Sequence, residues 1–296
     1  MPRPTDDRFE TERTFAWLEP AYAAYETARV VILPVPYDAT TTARAGTREG
    51  PAAIIDASAD MEWYDVALER EPYRVGIHTL PDLAVHAGSP AAMVDRVASV
   101  VADLLADGKF VVTLGGEHSI TAGCVRAHAQ RYPDLTVLYL DAHADLREEY
   151  LDTPFNHACA LRRSLEHARG AVHVGLRSAT REEHEFIRRR GIPVFPAHTF
   201  RREPDAPARI AAALGEHVYV SVDLDVLDPS QMPAVGTPEP GGLFWDDVTA
   251  VLAEVARTRR VVGFDVNELA PMYGPPASAQ LAAKLVYRMI GLFVRE

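Results

Sequence analysis

The sequence predicts an α/β fold: a mostly parallel sheet with helices on both faces. Three observations carry that prediction. Short β-branched runs recur along the chain, stretches of helical period lie between most of them, and ionisable residues collect where the runs end.

Taken in order, the strand candidates are "RVVILPV" (29–35), "YRVGIH" (73–78), "FVVTL" (110–114), "LTVLYL" (135–140), "AVHVGL" (171–176), "IPVF" (192–195), "VYVSVDL" (218–224) and "RVVGFDV" (260–266). Helix grammar is plainest in "SPAAMVDRVASVVADLLADG", with Ser89 as N-cap, Pro90 in the first turn and Gly108 just past the end. "REEHEFIRRR" reads as a solvated helix face that includes His184, and His128 and His167 read as surface histidines. The C-terminal "AQLAAKLVYRMIGLFVRE" carries Lys284 and Arg288 four apart on one helical face, so it reads as an amphipathic packing helix rather than a membrane span.

Composition bounds the function. The chain has 296 residues, 48% hydrophobic and 24% charged, which suffices for a large buried core. With no Gly/Ser linker, low-complexity tract or internal repeat, residues 1–296 read as a single domain. A net charge of -12 argues against nucleic-acid or anionic-membrane partners and suits a cationic substrate. Cys124 and Cys159 are the only cysteines, and the opening "MPRPTDDRFE" lacks the layout of a secretory signal, so a cytoplasmic protein is expected.

In parallel sheets, ligands bind beyond the carboxyl ends of the strands. Four of these ends carry ionisable groups: Glu117 and His118; Asp141, His143 and Asp145; Asp223, Asp225 and Asp228; Asp265 and Glu268. Any one of them alone reads as a turn or a cap. Two histidines and four carboxylates at neighbouring strand ends would repel strongly unless something cationic sat between them. Two divalent metals answer this, and a carboxylate-rich, thiolate-free donor set suits Mn²⁺ better than structural Zn²⁺.

The blocks "GGEHS", "DAHADLR", "FNHACALRR", "SVDLDVLDPSQMPAVGTPEPGGL" and "GFDVNELAP" together resemble the ureohydrolase family of arginases and agmatinases, most closely its agmatinase branch. The resemblance implies a three-layer α/β/α sandwich around an eight-stranded parallel sheet, assembled as a homotrimer or homohexamer. It implies two Mn²⁺ per subunit, with His118 and Asp145 on one, His143 and Asp225 on the other, and Asp141 and Asp223 bridging. His157 matches the family's proton-shuttling histidine and Glu268 its guanidinium-binding carboxylate. Where the common pattern has Asp, Gly and an apolar residue, this sequence has Glu117, Ala158 and Asn267.

The expected reaction is therefore hydrolysis of a small guanidino cation to urea and an amine. Agmatine is expected ahead of arginine or guanidinobutyrate. The loop residues Glu148, Glu149 and Asp152 would form an acidic rim that repels a carboxylate, and Glu239 in "GTPEPGG" is a second substrate-binding candidate by family likeness. Arg147 in the same loop is the one group there that could pair a carboxylate. A binuclear phosphoesterase is disfavoured by the acidity of the strand ends, and a non-catalytic homologue by the presence of all six ligand candidates.

Overall fold

The computed structural model describes residues 13–200 and 202–295. The expectation resting on residues 1–10 lies outside them.

All eight strand candidates form strands: β1 Val30–Val35, β2 Ile77–Thr79, β3 Phe110–Gly115, β4 Thr136–Leu140, β5 Gly170–Val174, β6 Val194–Phe195, β7 His217–Asp223 and β8 Arg260–Asn267. The sheet is parallel at every pairing, in the order β2-β1-β3-β8-β7-β4-β5-β6. Two strands are shorter than the runs suggest. Pro72–Val75 takes a 3-10 turn before β2, and Pro193 precedes a β6 of two residues.

The helices are α1 Pro20–Ala23, α2 Gly50–Ala57, α3 Pro90–Ala106, α4 Thr121–Arg131, α5 Ala160–Ser164, α6 Arg181–Arg190, α7 Ala197–Phe200, α8 Ala206–Ala213, α9 Trp245–Thr258 and α10 Ala277–Phe293. The period-two alternation of the strands divides the core in two. Val30 and Ile32 of β1 face one apolar cluster with α2, α8, α9 and α10, while Val31, Leu33 and Val35 face another with α3, α4, α5 and α6. The architecture is the expected three-layer sandwich. As anticipated, Ser89 caps α3 by accepting from the Ala92 N–H at 3.3 Å.

One reading needs correction. His128 is fully buried, not on the surface. It shares the inward stripe of α4 with Thr121 and Cys124, donates Nδ1–H to the Cys124 carbonyl at 2.8 Å, and packs its ring 4.8 Å from that of Tyr219. Burial depresses its pKa to about 4. As expected, α10 packs its apolar face into the core; Arg288 Nε donates to Asp65, a buried carboxylate, at 2.5 Å. Among the described residues no helix is long and apolar enough to cross a membrane.

The seam between α3 and α4 depends on Gly123. A Cβ there would lie 2.6 Å from the Val94 carbonyl oxygen of α3. Gly123→Ala should destabilise the protein by about 1–3 kcal/mol through overpacking. Thermal unfolding with an unchanged midpoint would contradict this packing.

Candidate metal centre

The four central strands β3, β8, β7 and β4 all end on the same side, so parallel pairing alone brings their terminal residues together. The turn after β3 is shaped by a close backbone approach: a Cβ on Gly116 would lie 2.0 Å from the Tyr37 carbonyl oxygen. Tight turning there, with Gly116 N donating to Val35 O and Glu117 N to Tyr37 O, carries His118 into the interior, where it is 0% exposed. After β4 and β7 a shared local device operates. Asp141 Oδ1 accepts from His143 N at 2.5 Å, and Asp223 Oδ1 accepts from Asp225 N at 2.8 Å. Each side chain thus bonds the amide two residues on, and the turn aims both members of the pair the same way. Asp145 and Glu268 hold left-handed backbone, with φ of 50° and 67°. That conformation is uncommon outside glycine and clusters at functional sites.

The six candidate ligands come together. His118 Nδ1 lies 3.1 Å from Asp141 Oδ2, 3.2 Å from Asp223 Oδ2 and 3.4 Å from Asp145 Oδ2. His143 Nδ1 lies 2.8 Å from Asp225 Oδ2 and 3.6 Å from Asp141 Oδ1. His118, Asp141 and Asp145 each offer a ligand atom within 4.8 Å of the others, as do Asp141, His143 and Asp225, so Asp141 belongs to both groups.

The charges in this space are out of balance. Burial, then the charge of Asp141, pushes the Asp145 carboxyl well above its ordinary value; burial, then Asp225 and Asp141, does the same to Asp223. Burial alone would lower the His118 imidazole, but Asp141 and Asp223 outweigh it and hold it well up. A cation among these groups would satisfy the same charges. Asp141 Oδ2 is buried and, though beside His118 Nδ1, accepts no aligned hydrogen bond. An orphaned carboxylate oxygen between two imidazoles, in a set of oxygen and nitrogen donors, fits a divalent metal. Cys124 and Cys159 are free and buried and belong to neither group.

Beneath the ligands runs a feature that the strand-end reading passed over. Thr113, Asp265, Ser221, Tyr139 and His173 are register partners across β3, β8, β7, β4 and β5, and all five are buried. Asp265 accepts from Ser221 Oγ at 2.6 Å, Tyr219 OH at 2.8 Å, Thr121 Oγ1 at 2.9 Å and Asn267 Nδ2 at 2.7 Å. With its one proton committed to Asp265, Ser221 Oγ receives the Nε2–H of His118 at 2.8 Å and so turns Nδ1 toward the carboxylates. Tyr139 OH donates to Asp145 Oδ2 at 2.7 Å and stacks on the His118 ring, while His173 Nε2 donates to the His143 carbonyl at 2.7 Å. The signal was present as polar letters inside apolar runs, one or two residues before each strand end. A β-bulge opposite Val218/Tyr219 sets the phase of β8 so that Asp265 joins the row.

Above the ligands lies a cavity of about 300 Å³. His143, Asp145, Asp223 and His157 line its floor, with Arg147 and Tyr150 on its wall. His157 Nδ1 is 3.1 Å from Glu268 Oε1, which also accepts from His118 N at 2.8 Å. Burial would lower the His157 pKa, but Glu268, Asp145 and Glu117 raise it to about 9. Glu239 stands at the rim, its Oε1 3.8 Å from His143 Nε2 and its carbonyl held by Arg177 Nη2 at 2.8 Å. Glu117 is buried, its pKa raised to about 7 chiefly by desolvation, and it accepts from Thr40 N at 2.5 Å and Ser119 Oγ at 2.5 Å. Asp228 is a turn residue that accepts from Ser230 and from the amides of Gly241 and Gly242.

The expected acidic rim is absent from the cavity. Glu148 turns away to pair with Arg162 and Arg163, and Glu149 and Asp152 are exposed, leaving Arg147 and Tyr150 at the wall. The reason is local. Tyr150 and Thr153 exchange backbone hydrogen bonds around Leu151 and Asp152, both left-handed, and this tight hairpin points its acidic residue outward.

The sequence model of the Arginase family matches residues 28–291. This chain belongs to the arginase family. It is 42% identical over 268 residues to an N(1)-aminopropylagmatine ureohydrolase of Thermus thermophilus, covering 90% of this chain and 91% of that protein. The enzyme of the same name from Synechocystis sp. is 40% identical over 278 residues, with 92% and 91% covered. Among solved structures, the agmatine ureohydrolase of Thermoplasma volcanium superposes with a TM-score of 0.85 at 33% identity, over 95% of this chain and 94% of that one. The chain is thus an arginase-family ureohydrolase, a hydrolytic enzyme of a metal-dependent family.

Removing the hydroxyl between Asp265 and His118 tests the buried row. Ser221→Ala should weaken divalent-metal binding roughly tenfold or more, as loss of a ligand's outer partner does. Calorimetric titration reads this directly, and unchanged affinity would show that the row does not orient His118.

Proposed function

We propose that this ureohydrolase cleaves the guanidinium group of an amine-terminated guanidinoalkane, agmatine or its N(1)-aminopropyl extension, to urea and the free amine, with two Mn²⁺ per subunit. The observation that carries the reading is the convergence of two imidazoles and four carboxylates beneath a cavity lined by His157, which pairs with Glu268. His118 and Asp145 would hold one ion, His143 and Asp225 the other, with Asp141 and Asp223 shared. When bound, such ions make water acidic enough to yield hydroxide at neutral pH.

The chain's own groups supply the rest. Glu268, 3% exposed, would take the planar guanidinium N–H groups in charge-assisted hydrogen bonds and keep hold of them as the carbon becomes tetrahedral. His157, whose raised pKa keeps it protonated near neutrality, would give its proton to the departing nitrogen. Glu239 at the rim would meet the cationic end of the substrate.

The longer substrate is favoured over agmatine because relatives at 40–42% identity carry its name, against 33% for the agmatine ureohydrolase structure. A second reading, guanidinobutyrate, is supported by Arg147 on the cavity wall, where a carboxylate would find a cation.

A urea-release panel of N(1)-aminopropylagmatine, agmatine, guanidinobutyrate and arginine with Mn²⁺ supplied separates these. The first should show the highest kcat/KM; a higher value for either carboxylate-bearing compound would replace the amine-terminated assignment by the Arg147 reading. The ligand assignment is checked by elemental analysis. Asp141→Ala should lose more metal per subunit than His118→Ala, since it would serve both ions, and two full equivalents retained in Asp141→Ala would sink it.

A further inference from the structure

Loop 38–48 approaches the catalytic pair from outside the motifs, and its supports are unusually complete. Asp38 accepts from Gly46 N at 2.9 Å and from Arg48 Nε at 2.6 Å, closing the loop on itself. Glu117 grips Thr40 through its amide and hydroxyl, and Arg44 reaches the carbonyls of Val235 and Gly236 at 3.2 Å while lying 4.6 Å over the Tyr273 ring. From this platform the loop touches the His157 turn at three points. Thr40 Oγ1 accepts from His157 N at 3.0 Å, Thr40 O accepts from Asn156 Nδ2 at 3.1 Å, and Thr42 Oγ1 lies 3.0 Å from His157 Nε2.

We propose that Thr42 is a positioning residue for His157: its hydroxyl, 3.0 Å from Nε2, holds the ring plane so that Nδ1 faces Glu268 and is the nitrogen that exchanges the catalytic proton. The proposal rests on the reading of His157 as proton donor. Thr42 is exposed and lines the cavity, so water would satisfy its hydroxyl if the ring were not there; the supports on either side place it against Nε2 instead. The opposite nitrogen, Nδ1, faces Glu268, where the guanidinium would sit. Starting from the imidazolium, the Nδ1–H bond breaks as the leaving nitrogen's lone pair takes the proton. The ring electrons stay on Nδ1, and the Nε2–H bond beside Thr42 Oγ1 is unchanged. A proton from water restores the imidazolium.

Thr42→Val keeps the branched shape and removes the acceptor; Thr42→Ser keeps the oxygen. The valine variant should lower kcat roughly tenfold with KM and metal content unchanged, and serine should restore most of the loss. In a His157→Asn background, Thr42→Val should cost nothing further, since a positioning residue acts only through its partner. Wild-type kcat in the valine variant, the same loss in both backgrounds, or no recovery with serine would each overturn the proposal. If His157→Asn alone retained full kcat, the donor role of His157 would fall and the proposal with it, whereas a large loss there with wild-type kcat in Thr42→Val would overturn the Thr42 role alone.

Discussion

The mutual repulsion of four buried carboxylates, relieved only by something positive between them, governs the upper half of this molecule. Asp141, Asp145, Asp223 and Asp225 share one largely dry space with two imidazoles. Packing energy cannot account for that placement, because an isolated ionised carboxylate is among the costliest groups to bury. A fold that keeps them there must be rigid enough to resist their separation and must gain from a cation bound among them. The eight-stranded parallel sheet, covered on both faces, supplies the rigidity.

That constraint propagates downward into the sheet. A strand interior would ordinarily be apolar on both faces, yet five adjacent strands give one register row to Thr113, Asp265, Ser221, Tyr139 and His173. Each is buried, and three of them bond directly to the candidate ligands or their backbone. The row costs apolar contact and returns orientation, since an imidazole whose far nitrogen is committed presents the near one at a fixed angle. The left-handed backbone of Asp145 and Glu268 has the same character: strain of about 1–3 kcal/mol each, tolerated because packing and hydrogen bonds on every side determine the conformation.

On the open side, charge is arranged differently. The wall of the cavity carries Arg147 lying 4.4 Å over the Tyr150 ring, while the acidic residues of the same loop face solvent or pair with arginines. The chain's net charge of -12 is therefore no guide to the local field at the cavity mouth. Loop 38–48 adds a further layer, reaching the His157 turn from a part of the chain that none of the strand-end motifs includes.

By itself, the sequence determined the eight strands, the sandwich and the six converging side chains. All three follow from local periodicity: apolar runs specify strands, parallel strands end on one side, and ionisable letters just past those ends must meet. Sequence could not decide what depends on distances between remote segments. The burial of His128 follows from which stripe of α4 meets the sheet, the outward turn of Asp152 from a two-residue hairpin with left-handed backbone at non-glycine positions, and that of Glu148 from its pairing with Arg162 and Arg163. The row beneath the ligands needed the cross-strand register, including a bulge in β8 that no periodicity announces. Thr42 needed the path of a loop 115 residues away in the chain from the histidine it touches. Register, loop path and side-chain direction are fixed by packing and hydrogen bonds between segments distant in sequence, and those exist only once the chain has folded.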